Sequence, residues 1–178
     1  MSGFQKTTAE ICADARSKET IAPDMAPREF VGALVDRQKF SEAIDFMAHA
    51  LPPREAVWWG CLCMRHVLGD NLAEADIPAA SAAVYWAMWP SEESRVAAMP
   101  FGGNIESMAS TLAEAAFLST GNFAPPGAPP LFITQFPTAK AVARAVKLAC
   151  EKADPAELPR VQEAYLELAM ETAEGHFI

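Results

Sequence analysis

The chain has 178 residues, of which 35 are alanine, with a hydrophobic fraction of 51 %, a formal net charge of −9 and a sequence pI near 4.8. That length buries a core without help from disulfides or metals, and the scarcity of β-branched residues favours helices over strands. The acidic balance argues against nucleic acid as a partner, because such binding gains its affinity from Lys and Arg neutralising phosphates.

The N-terminus, Met1 to Lys6, lacks an apolar signal region, and no run of about 20 apolar residues is present to span a bilayer. A cytoplasmic protein with no membrane partner is expected. Cys12, Cys61, Cys63 and Cys150 follow no regular framework and read as reduced core residues.

In chain order, a short first helix is expected from Thr8 to Ser17, with Ile11 and Ala15 inward. Pro27 opens a second helix to about Arg37, in which Phe30, Ala33 and Leu34 form an i, i+3, i+4 apolar face. Ser41 is the expected N-cap of a third, where Ile44, Met47, Ala48 and Leu51 repeat the pattern. Pro52-Pro53 ends that helix and launches the next, from Pro53 to Leu68. Its apolar residues fall on nearly every side, which describes a helix enclosed by others at the centre of the core.

Asp76-Ile77-Pro78 reopens a helix to Trp89, whose aromatic cluster is expected to pack on Trp58 and Trp59 and form the densest part of the core. Pro90-Ser91-Glu92-Glu93 starts a shorter helix to about Met99, and Gly102-Gly103-Asn104 leads into another from Ile105, with Asn104 as its N-cap. Residues 121–137 break the helical pattern: Ala124 to Pro130 cannot be helical, yet Leu131 to Phe136 is apolar, so a Pro-rich ordered surface loop anchored by Phe132 and Phe136 is expected. Helices from Thr138 to Lys152 and from Pro155 to Glu174, the latter with Asp154 as N-cap, complete one all-α domain over residues 1–178. It is a bundle or stack of antiparallel helical hairpins with about eight helices and no sheet.

Four groupings bear on chemistry. Cys61 and Cys63 with His66 and His49 invite a metal or a nucleophile, but residues two apart on a helix point some 200° from one another, and an apolar setting raises a thiol pKa. Buried thiols are the expectation, with no metal, no cofactor and no catalytic residue. Trp58, Trp59, His66, Tyr85 and Trp86 define a candidate aromatic pocket between the helices at 53–68 and 78–89. Lys140, Arg144 and Lys147 line one face of the penultimate helix, and Glu163, Glu167 and Glu171 one face of the last. Like charges at i, i+4 do not stabilise a helix, so with Phe132 and Phe136 these rows make a candidate surface for another protein.

The run Arg54-Glu55-Ala56-Val57-Trp58-Trp59, followed by the Cys-rich turn and by Tyr85-Trp86-Ala87-Met88-Trp89, resembles an uncharacterised family of small all-helical bacterial proteins. The resemblance implies an accessory protein, with some members found near type VI secretion genes, and it supplies no catalytic residues. The leading expectation is therefore a non-enzymatic adaptor or accessory protein. A small-molecule binder or enzyme using the aromatic pocket is the alternative, and a homodimer through one of the helical faces is a third reading.

Overall fold

Proline sets where several of the helices begin. The computed structural model describes residues 4–19, 24–104, 106–119, 129 and 136–175. Within them the chain forms nine α-helices and no strand: α1 (Thr8–Ala15), α2 (Pro27–Asp36), α3 (Phe40–Ala50), α4 (Pro53–Leu68), α5 (Ile77–Met88), α6 (Glu92–Ala98), α7 (Met108–Phe117), α8 (Pro137–Glu151) and α9 (Leu158–Ala173). Short 3-10 turns cover Glu74–Asp76 and Met99–Phe101. Pro27, Pro53 and Pro137 are the first residues of α2, α4 and α8, and Pro78 and Pro159 the second of α5 and α9. There a missing N–H forfeits no helical hydrogen bond and φ is already set.

Three expected caps are displaced. Ser41 lies inside α3, which starts at Phe40. The Asn104 carboxamide oxygen accepts the Glu106 N–H at 3.2 Å, and Ser107 caps α7 instead by accepting the Ser110 N–H. Asp154 accepts the Ala156 N–H at 2.8 Å, and α9 begins only at Leu158. The reason is shared by the last two: an Asn or Asp side chain readily bonds a backbone N–H two residues on, which builds a turn ahead of the helix. Ile105, Phe132 and most of the 121–137 segment lie outside the described residues.

The α4 helix touches α3, α5, α7, α8 and α9, and α8 in turn packs on α3, α4, α7 and α9. The buried side chains from α1 to α9 form a continuous core. Its contacts are made largely by small groups: Ala109, Ala113, Ala115 and Ala116 of α7 and Ala141, Ala145 and Ala149 of α8 are all buried. Small residues let helix axes approach closely, and the large groups fill the spaces between. Trp59 is fully buried and its indole N–H donates to the Tyr165 carbonyl at 2.7 Å, joining α4 to α9.

Polar links fix the helix ends. Arg54 donates to the Ala87 carbonyl at 2.7 Å, tying the start of α4 to the end of α5. The Ser107 hydroxyl donates to Asp76 at 2.7 Å, tying the start of α7 to the start of α5. Arg95 holds Glu92 through two hydrogen bonds of 2.7 Å and donates to the Phe117 carbonyl at 2.6 Å, fastening α6 onto α7.

The tightest approach is at Gly60, where an added Cβ would stand 2.4 Å from Leu112 Cδ2, a side chain that is itself fully buried. Overpacking of this kind costs about 1–3 kcal/mol, against a helix-propensity gain of about 1 kcal/mol for Gly→Ala. Gly60→Ala is expected to lose about 1 kcal/mol of stability and Gly60→Val more, measured by urea unfolding. Trp59→Phe, which gives up the hydrogen bond and part of the ring volume, is expected to lose about 2 kcal/mol.

Candidate functional site: the α4–α5 groove and the outer face of α5 and α6

Successive residues on a helix lie about 100° apart, and this divides the two central tryptophans of α4. Trp59 faces the core and α9. Trp58 is half-buried and lines a groove of about 320 Å³ between α4 and α5, with Leu62, Arg65, Leu68, Leu72 and Val84. The groove walls are apolar, with the exposed Arg65 on its lip. The Trp58 indole nitrogen is sealed from solvent and has no hydrogen-bond partner. A buried donor left in that state costs about 1–3 kcal/mol.

Of the five residues expected to form an aromatic pocket, only Trp58 stands in this groove. His66 is exposed and turned toward α9, its ring edge-on to Tyr165 at 5.4 Å. Trp86 is buried on the inner face of α5. Tyr85 is 56 % exposed and Trp89 57 %, with ring centroids 5.3 Å apart. The expected dense tryptophan core is therefore corrected to two buried rings, Trp59 and Trp86. Alanines at 79, 80, 83 and 87 fill the inner face of α5, which leaves its other aromatics outside.

Those aromatics belong to a larger feature that periodicity alone did not single out. Ile77, Ser81, Tyr85 and Trp89 recur every four residues along the outside of α5, and Met88 joins them. Both α5 and α6 pack on α7 and on each other, and α6 and the turn after it add the exposed Val96, Met99 and Phe101. The signal was present as a second apolar row opposite the alanine face, in a helix apolar all round.

The charged rows are divided between two fates. Arg144 pairs with Glu114 of α7 at 2.8 Å and Lys147 with Asp45 of α3 at 2.7 Å, so two of the three basic groups bind the helices beside them. Lys140 is exposed. Glu163, Glu167 and Glu171 stand exposed along α9 and make no ion pair among the described residues. Phe136 is 40 % exposed, takes a left-handed backbone (φ 50°) at the head of α8, and packs against the Lys6 ammonium at 4.9 Å and the His49 ring at 6.0 Å.

The thiols are buried and held protonated. Burial pushes Cys61 up to about 12 and Cys150 up to about 11, and raises Cys63 and Cys12 as well. The buried Tyr165 phenol is raised too, and its oxygen has no hydrogen-bond partner. His49 shares a 2.7 Å hydrogen bond with the Asp45 carbonyl through Nδ1, and burial keeps its pKa below the usual imidazole range. Among the described residues no group of three or more His, Cys, Asp or Glu side chains is placed to hold a metal ion.

The thiolate is the nucleophile, and all four groups lie on the wrong side of neutrality for it. At pH 7.5 iodoacetamide is expected to leave all four cysteines of the folded protein unmodified on a timescale in which the urea-unfolded chain is fully alkylated, as read by mass spectrometry. One site alkylated rapidly in the folded state would show that a thiol is poised for chemistry.

No helix of the described residues is long and apolar enough to cross a membrane. No curated protein and no solved structure matches the chain. Residues 30–173 match the model of a family of unknown function, DUF6931, which takes in α4, the groove, the outer face of α5 and α6, and both charged rows. With most of its length inside that match, the chain belongs to the DUF6931 family.

Proposed function

We propose that this chain is a non-enzymatic protein-interaction module, an adaptor or accessory subunit of the bacterial cytoplasm, that docks its partner on the outer face of α5 and α6. One observation carries the reading: every exposed large hydrophobic residue among the described residues except Phe136 lies between Ile77 and Phe101. Such residues scattered singly need no explanation, but gathered on one helical hairpin they mark an interaction site. Tyr, Trp and Met are also the residue types that anchor interfaces.

The sequence pointed instead to the C-terminal third. Arg144 and Lys147 are engaged with α7 and α3, which weakens that location, while the acidic row of α9 remains available as an auxiliary contact. The resemblance of the Arg54-to-Trp59 run to accessory proteins near type VI secretion genes agrees with an adaptor role and names the first assembly in which to seek the partner.

The test is affinity purification of the tagged chain from its native host. A stoichiometric companion is expected, lost with Tyr85→Ser/Trp89→Ser and kept with Glu163→Lys/Glu167→Lys/Glu171→Lys. The opposite pattern would move the interface to α9, and a companion-free preparation would remove the adaptor reading.

The apolar groove lined by Trp58 supports a second reading, a small-molecule site between α4 and α5. At about 320 Å³ the groove is at the small end of ligand pockets, which begin near 300 Å³, so docking is preferred. A saturable change in tryptophan fluorescence with a metabolite, abolished in Trp58→Phe, would reverse that preference.

A further inference from the structure

The apolar face has a charge pattern that bears on its occupant. Between Arg65 and Lys140 the only Lys or Arg is Arg95, and that guanidinium is 3 % exposed and committed to Glu92 and the Phe117 carbonyl. The exposed charges that this stretch itself brings to the outside of α5 and α6 are therefore carboxylates, while two cations from other elements, Arg65 on the groove and Lys152 beside Asn71 and Asp76, stand at the α4–α5 end. Asp70 and Glu74 stand exposed where the chain passes from α4 into α5, and Glu93 stands exposed beyond the other end of α5. The ridge of Ile77, Tyr85 and Trp89 runs between these two acidic ends, and the groove lined by Trp58, Leu62 and Val84 lies beside it.

A ridge next to an apolar groove is the relief into which one face of an amphipathic helix fits. The α5 helix has 12 residues, a length of about 18 Å, which spans about three turns of a partner helix. Resting on the docking reading above, we propose that the occupant is an amphipathic helix with an apolar face and lysines or arginines at both ends. Its apolar side chains fill the groove and straddle the Tyr85–Trp89 pair, and its basic ends meet Asp70 and Glu74 on one side and Glu93 on the other. Arg65 on the lip and Lys152 beside the turn into α5 mark the places where a carboxylate of the partner is favoured.

The same charges argue against a second copy of this chain. An antiparallel pairing of two such faces sets Asp70 and Glu74 of one copy against Glu93 of the other, and a parallel one sets each group against itself. Like charges so placed repel, whereas a basic helix is drawn in by the net charge of −9 before contact.

The test uses the full chain, a lysine-flanked amphipathic peptide and the same peptide with glutamates in place of the lysines. Binding is followed by tryptophan fluorescence and calorimetry. The lysine peptide is expected to bind, the glutamate peptide not. Asp70→Lys/Glu74→Lys/Glu93→Lys is expected to weaken binding by roughly tenfold or more, while Glu163→Lys/Glu167→Lys/Glu171→Lys, which changes the net charge equally, leaves it within about twofold. Circular dichroism checks that both variants keep their helices; all the substituted positions are exposed.

Equal binding of the two peptides, no binding of either, or equal loss in the two variants would overturn the proposal, the last by reducing it to diffuse attraction. Light scattering separates its failure from that of the docking reading. A wild-type dimer made monomeric by Tyr85→Ser/Trp89→Ser would overturn the basic-helix occupant yet keep the face as an interface. If those two substitutions alter neither peptide binding, self-association nor the host companion, the docking reading itself fails.

Discussion

The close approach of α4 and α7 at Gly60 is the constraint on which the rest of the structure depends. A glycine there lets Leu112 enter the space that a side chain would fill, and buried alanines line α7 and α8 beside it. Helices that meet through small groups can bury several neighbours at once, which is how α4 comes to touch α3, α5, α7, α8 and α9. The consequence lies outside the core. With alanines occupying the inner face of α5, the volume that Tyr85, Met88 and Trp89 would need is absent, and they remain on the surface.

Electrostatics then divides the surface. Around α8 the opposite charges are matched: Arg144 with Glu114 and Lys147 with Asp45 hold neighbouring helices together. Exposed pairs of this kind contribute about 0–1 kcal/mol each, so they serve register more than stability. In α6 the matched pair is Arg95 with Glu92, and its guanidinium is drawn inside, where it also fastens the end of α7. The apolar face proposed for docking has carboxylates at its ends, with Arg65 on the adjoining groove and Lys152 beside the turn into α5.

The chemistry of the interior points the same way. A thiol near 11 or 12 is protonated at neutral pH by several orders of magnitude, and the imidazole of His49 is neutral there for the same reason, the cost of charge in an apolar setting.

The sequence by itself determined the helical class, most helix positions and the enclosed character of α4, because these follow from local rules: proline at helix starts, alanine abundance, and apolar residues on every side of the 53–68 run. The thiols at 61 and 63 were legible as buried for the same reason. Where local rules compete, reading failed by a few residues, as at Asn104 and Asp154, whose side chains close turns before the helix begins. Only the tertiary structure decided which aromatics lie inside. Trp58 and Trp59 are adjacent in sequence, yet one lines a groove and the other reaches the Tyr165 carbonyl 106 residues away. Likewise α5 is apolar around its whole circumference, so its periodicity cannot say which side is covered; that depends on α4 and α7 meeting its alanine face, a long-range choice with no local signature.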